Sequence, residues 1–324
     1  MGTVVVLGSF MMDLVARAPH RPAPGETVVG SDFYTSEGGK GFNQAVAATR
    51  AGATTAMIGA LGDDEYGRSF RAFLDRENID SRGVLTADEG TGVGLPVVDD
   101  DGGNSIVVVR RANEAVTPQI VGDALDALDD VKVVVMQLEL AIENAIAAAR
   151  WGREHGAIVL LNPAPMCAIP EELIECTDVL TPNEVELAEL SRQFFGNGVS
   201  ARESSIRLTE AYGLTVVATM GSQGALVVEP GADPVQVAAP MVRAVDTVGA
   251  GDTFCGYLAA GLARGQSIAS VAPAACAAAS LSVTRLGSAV SVPYRYELPT
   301  EVALDERAPT GDVDVLESQG KETR

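Results

Sequence analysis

Short apolar runs and longer amphipathic stretches alternate along most of the chain. The runs are TVVVLG at 3–8, TTAMIGALG at 54–62, VKVVVMQLE at 131–139, AIVLLNP at 157–163, DVLTPN at 178–183 and TVVATM at 215–220. Between them the pattern predicts helices over QAVAATRAGA (44–53), EYGRSFRAFLDREN (65–78, closed by Asn78), 141–155, EVELAELS (184–191) and 201–212. Two more follow at 250–264 and 267–284; in the first, Phe254, Tyr257, Leu258 and Leu262 recur at helical spacing. This alternation predicts an α/β fold, a mainly parallel sheet covered by helices.

Two strand-rich segments break the alternation. ETVVGSDFYTS (26–36) reads as a half-exposed strand pair, and GVGLPVVDDDGGNSIVVVRR (92–111) as a hairpin turning at DDGGN. Segments 15–36 and 91–111 are expected to form a small β lid on the body. GALVVEP (224–230) predicts another hairpin, and 193–204 a surface insertion. Residues 1–298 are thus expected to be one domain, followed at 299–324 by an acidic tail, mobile after about residue 307. No internal repeat is visible.

Composition narrows the partners. The 324 residues carry 44 acidic against 23 basic side chains, a formal charge of −21, and only Lys40, Lys132 and Lys321 are lysines. Such a surface argues against nucleic acid or an anionic membrane as partner. Acid-rich, lysine-poor composition suits a high-salt cytoplasm, where salt screens carboxylate repulsion. The start has neither a basic region nor a long apolar core, so no signal peptide is expected, and no run is long enough to span a bilayer. Cys167, Cys176, Cys255 and Cys276 lack C-x-x-C spacing and are expected to be free thiols in a reducing cytoplasm. With His20 and His155 the only histidines, His-rich metal sites and histidine triads are nearly excluded.

The chemistry concentrates in AVDTVGAGDTFCGYLAAGL, residues 244–262. Asp252 follows Gly249, Ala250 and Gly251 at the mouth of a helix. It could cap that helix or favour its dipole. The small residues ahead of it suggest more, since bare N–H groups at a helix N-terminus make an anion site. A carboxylate beside such a site suits proton abstraction from a hydroxyl that attacks phosphorus. GSFMMD after the first strand lacks G-x-G-x-x-G, and no G-x-x-x-x-G-K-[ST] occurs, so neither a dinucleotide fold nor a Walker loop is supported. GGKGFN sets the compact cation of Lys40 among glycines, which suggests close approach to a polar ligand.

Together GGKGFNQAVAATRAGA, MQLE, LNPAP, TPNEVE, TMGSQGA, VDTVGAGDTFCG and SVTRLGSAVSVP, in that order, resemble the ribokinase (PfkB) family of carbohydrate kinases over residues 3–298. The resemblance implies a doubly wound α/β domain whose β lid also forms a homodimer contact. It implies Asp252 as base on a sugar's primary hydroxyl and the Gly249–Gly251 amides as the hole for charge on the transferred phosphoryl group. It also implies that Asp13, Gly39, Lys40, Asn43 and Glu139 bind sugar hydroxyls, and that Asn183 and Glu186 organise Mg²⁺ waters and phosphates. Thr219, Gly221, Gly224, Gly251 and Cys276 would line the ATP site. Asp246, Val248, Ser282, Arg285, Gly287 and Ser291 would surround a K⁺ site. Blander readings stand beside these: a helix cap plus first-turn acid for Asn183 and Glu186, and a turn residue for Asp13.

Departures from the family bear on the substrate. Met11 stands where ribokinases carry Asn, and Arg110-Arg111 where small residues are usual. One of those arginines would face the sugar cleft if strand alternation holds and could grip an anionic substituent; otherwise both are solvated edge-strand charges. The substrates to weigh are ribose, ribose 1-phosphate, 2-keto-3-deoxygluconate, a fructose phosphate or a nucleoside, and a catalytically silent sugar or nucleotide sensor stands against all of them.

Overall fold

The computed structural model describes residues 2–196 and 199–299. The acidic tail expected beyond Pro299 lies outside the described residues. The first half runs β1 (Thr3–Leu7), β2 (Met11–Ala18), β3 (Asp32–Gly38), α1 (Lys40–Arg50), β4 (Thr54–Gly62), α2 (Glu65–Glu77), β5 (Asp80–Ala87), β6 (Val93–Asp99) and β7 (Asn104–Val109). Then come α3 (Pro118–Asp126), β8 (Val131–Met136), α4 (Ile142–His155), β9 (Ile158–Leu161), α5 (Glu171–Glu175), β10 (Val179–Leu180) and α6 (Glu184–Phe195). The chain closes with α7 (Ala201–Tyr212), β11 (Thr215–Thr219), β12 (Ala225–Val228), β13 (Val235–Val237), α8 (Ala250–Ala263) and α9 (Ile268–Ser282).

Among the described residues, nine strands form one sheet in the order β13-β12-β11-β10-β9-β8-β1-β4-β5. It is parallel from β11 to β5, and only the pairings β11–β12 and β12–β13 are antiparallel. Successive residues of β1 serve opposite faces. Val4 and Val6 join the core beneath α1, α2, α8 and α9, whereas Val5 and Leu7 join the core beneath α3, α4, α6 and α7. A strand with helices over both faces must be apolar throughout, which is why TVVVL has no polar alternation. This is the doubly wound α/β fold expected from the sequence.

A separate four-stranded sheet, β3-β2-β6-β7, makes the lid. Its two outer pairs are antiparallel and its central pair, β2 with β6, is parallel. The half-exposed strand pair expected at 26–36 is a single strand, β3. Its partner is β2, so the lid begins at Met11 rather than at residue 15. Strand β2 has a mixed burial pattern, with Asp13 and Leu14 adjacent and both half-buried, so it shows no clean period of two. The expected insertion at 193–204 is mostly helix: α6 runs to Phe195, α7 starts at Ala201, and Phe194 and Phe195 pack on the core. Helix α1 begins at Lys40, four residues before the expected start, which puts Lys40 and Asn43 in its first turn.

Candidate active site

The strand ends build the site. In an open α/β sheet the carboxyl ends of the strands face the crevice where ligands bind. Here β1 leads into Ser9, β8 into Gln137 and Glu139, β9 into Asn162, β10 into Asn183, and β11 ends at Thr219. Helix α8 supplies the centre. Gly249 caps it with φ 78°, a backbone that glycine adopts without strain, and no side chain caps its N–H groups. Gly251 opens to free space, since a Cβ there would meet nothing within 4 Å.

Asp252 does not cap its own helix. Its carboxylate turns to α1, where Oδ2 accepts from Asn43 Nδ2 at 2.9 Å and Oδ1 from Gln44 Nε2 at 2.9 Å. Gly256, one turn on, permits this contact, because a Cβ there would lie 2.6 Å from Gln44 O. Asp252 is only 6 % exposed, and burial raises its pKa, while the Lys40 charge and the two amide donors pull it back. Burial alone would lower the Lys40 pKa, yet the charges of Asp252, Glu139 and Glu186 outweigh it and keep the ammonium protonated. Lys40 thus lies within the electrostatic reach of all three carboxylates.

On the lid side, Asp13 sits within β2 rather than in a turn, between Gly38 and Gly94, whose missing Cβ atoms leave room for its carboxylate. Burial first, then the charge of Glu139, pushes Asp13 up to about 6. Glu139 accepts from the Lys40 backbone N–H at 2.8 Å and from the Ser9 hydroxyl. Gly39 lies between β3 and α1. Asp13, Glu139, Lys40, Asn43 and Asp252 are therefore linked by hydrogen bonds and charge, with Gly39 beside Lys40.

On the other side of α8 lies a cleft of about 600 Å³ lined by Thr219, Gly221, Gly224, Ala250, Gly251 and Cys276, with Asn183 at its edge. Its walls are largely apolar, as Phe254, Ala279 and Val283 illustrate, which suits a planar base above a polar phosphate end. Asn183 caps α6, accepting from the N–H groups of Val185 and Glu186, and Glu186 Oε2 accepts from the Asn183 N–H at 2.8 Å. The capping box is real. Glu186 is nonetheless buried, its pKa raised by desolvation despite the Asn183 N–H and Lys40.

Asp246 ties two loops together, its Oδ1 accepting from the Val248 N–H and its Oδ2 from the Gly287 N–H, both at 3.0 Å. Ser282 and Ser291 donate to Ala279 O and Ser288 O, and Arg285 pairs with Glu297.

The two arginines make their contacts away from Asp13 and Glu139. Arg111 donates Nη1 to Thr91 O at 3.0 Å, lies against Gly90 and lowers the Asp64 pKa after that group's own hydrogen bonds. That bond ties the Arg111 guanidinium to the base of the lid. Arg110 is exposed at the end of β7, and the neighbouring group it acts on electrostatically is Cys167. Gln44, Gln137 and Asn162 were missed. For Gln137 and Asn162 the signal was a polar residue closing an apolar strand, as in VVVMQ and VLLN, where the fold puts ligands; Gln44, inside α1, carried none.

Residues 1–295 match the family model described as pfkB family carbohydrate kinase. A ribokinase of Bacillus subtilis is 37% identical over 309 residues, covering 92% of this chain and 98% of that protein. A mouse (Mus musculus) ribokinase is 33% identical over 302 residues, covering 91% of this chain and 93% of that one. Among solved structures, ribokinase from Thermotoga maritima superposes with a TM-score of 0.85 at 30% identity, over 91% of this chain and 97% of that one. Arabidopsis thaliana ribokinase complexed with ribose and ATP gives 0.81 at 30% identity, over 91% and 96%.

Proposed function

The chain belongs to the pfkB family of carbohydrate kinases, and from that premise we propose that it transfers the γ-phosphate of ATP to the primary hydroxyl of ribose. The observation that carries the reading is Asp252, a buried carboxylate between a cleft of nucleotide size and the sugar-side residues Asp13, Lys40 and Asn43. Asp252 takes the proton as the hydroxyl oxygen attacks the γ-phosphorus. The bond from that phosphorus to the bridging oxygen breaks, and ADP leaves with the electron pair. The first-turn N–H groups of α8, beside Gly249–Gly251, stabilise charge on the phosphoryl oxygens. Lys40 offsets charge on both sides, and Asp13 with Glu139 accepts from the sugar hydroxyls.

A neutral sugar fits better than an anionic one. Asp13 and Glu139 already repel each other, so an anionic substituent there would add to the repulsion. Mg²⁺ fits the nucleotide end, where Glu186 is a buried carboxylate and, among the described residues, no cluster of three metal-binding side chains competes with water and phosphate as ligands. When bound, Mg²⁺ would neutralise phosphate charge and orient the γ-phosphate. Potassium fits the loops joined by Asp246, whose donors are hard oxygens.

A homodimer through the lid is supported by its exposed apolar residues, among them Phe33 at 61 % and Val107 at 62 %. The four free cysteines and the charge of −21 support a reducing, high-salt cytoplasm. No helix among the described residues is long and apolar enough to cross a membrane. The test is ADP release in high potassium chloride over ribose, ribose 1-phosphate, 2-keto-3-deoxygluconate, a fructose phosphate and a nucleoside. Ribose should give the highest kcat/KM, with phosphorus NMR placing the new ester on the primary carbon. Preference for any other member would overturn the substrate.

A further inference from the structure

One donor on Asp252 belongs to no substrate-binding set. Gln44 is fully buried, and its Nε2 donates to Asp252 Oδ1 at 2.9 Å. The amide cannot turn round. Its Oε1 accepts from Gln137 Nε2 at 2.6 Å, and its Nε2 also donates to Asn162 Oδ1 at 3.2 Å. Asn162 is fixed in turn, donating Nδ2 to Thr181 O at 2.8 Å. A flipped Gln44 would set its oxygen against the Asp252 carboxylate and its NH₂ against that of Gln137. The ends of β8 and β9 thus reach Asp252 through a chain of amides.

We propose that Gln44, oriented by Gln137 and Asn162, is a positioning residue that holds the Asp252 carboxylate in the plane from which it receives the sugar proton. The proposal rests on Asp252 being the general base. Each carboxylate oxygen offers two lone pairs, and the amides of Asn43 and Gln44 take one on each. The carboxylate cannot rotate, and one lone pair per oxygen remains for the incoming hydroxyl. Both hydrogens of Gln44 Nε2 are engaged, so it has none for the sugar and acts only through Asp252. It also donates to the charged form and so opposes the upward pull of burial on Asp252.

Gln44→Met keeps the length of the side chain and removes the donor. Its kcat with ribose should fall about tenfold or more, as expected for a lost bond to a charged group, with KM for ribose and ADP affinity little changed. The acid limb of its pH–rate profile should move to higher pH, because Asp252 protonates more readily without the donor. Gln137→Met leaves the donor but frees it to rotate, and should change kcat and the limb in the same direction by less. If Gln44→Met fails to fold, Gln137→Met carries the test. Wild-type kcat and an unmoved acid limb in the folded variants would overturn the proposal. So would a lowered kcat with an unmoved limb and a lowered Tm, which would make Gln44 a packing residue. Asp252→Asn is measured alongside: turnover surviving there defeats the base itself, a separate failure.

Discussion

The site holds a half-buried aspartate on the lid and a buried one on the α/β body, and the two are built in opposite ways. Asp252, on the α/β body, has an amide donor on each oxygen and the charge of Lys40 nearby. Asp13, on the lid, lies between two glycines and faces Glu139. The protein offsets part of the first carboxylate's burial cost with donors and a cation, and leaves the second short of donors. A group that must be ionised and aimed at the moment of reaction gains from preorganisation. A group that binds hydroxyls gains from being under-satisfied until they arrive, because hydrogen bonds then replace an unfavourable state.

Substituting the two aspartates sharpens this difference. The larger effect belongs to the body: Asp252→Asn should lower kcat by about 10²–10⁴-fold with the fold intact, read by ADP release and thermal unfolding. Asp13→Asn should cost about 10–200-fold in kcat/KM for ribose, the worth of one bond to a charged group. Its stability should change the other way. The Asp13 carboxyl, at about 6 when folded against 3.8 in the reference state, holds a proton through that window that the unfolded chain releases. Wild-type stability therefore falls as pH rises from about 4 to about 6, and Asn, which cannot ionise, escapes the loss. The Tm of Asp13→Asn should exceed that of wild type at pH 7 and approach it near pH 4.

Smaller effects lie outside the cleft. Arg111→Ala should cost about 1 kcal/mol of stability, the net worth of a hydrogen bond such as the one to Thr91 O, and reduce kcat/KM equally on ribose and ribose 1-phosphate. A selective loss on the phosphorylated sugar would move that arginine into the site. The Tm of the wild-type protein should climb from low to molar potassium chloride as carboxylate repulsion is screened. Sodium in place of potassium at constant ionic strength should lower kcat while leaving the Tm near its potassium value.

The asymmetry also decided what could be read from the chain. Asp252 was legible because its helix, its glycines and its carboxylate are adjacent, and a local motif keeps its meaning without tertiary structure. Asp13 resembled a turn residue because β2 has no clean alternation: it pairs on both sides within the lid while its ends touch the body. Strand β5 passed unmarked because DSRGVLTA begins with polar residues and carries Gly83, packed against Met57 O. Gln44 was invisible as a partner of Asp252 because the two stand 208 positions apart. Their contact needs the close approach of α1 and α8 at Gly256, which no period in the sequence announces.

The central claim is that the body's aspartate performs the chemistry and the lid's aspartate holds the sugar. Equilibrium binding of ribose to Asp252→Asn, in the presence of ADP, tests it most directly. Affinity should stay close to wild type in this variant, which does not turn over, and fall in Asp13→Asn measured the same way. Ribose binding lost in Asp252→Asn as severely as in Asp13→Asn would contradict it.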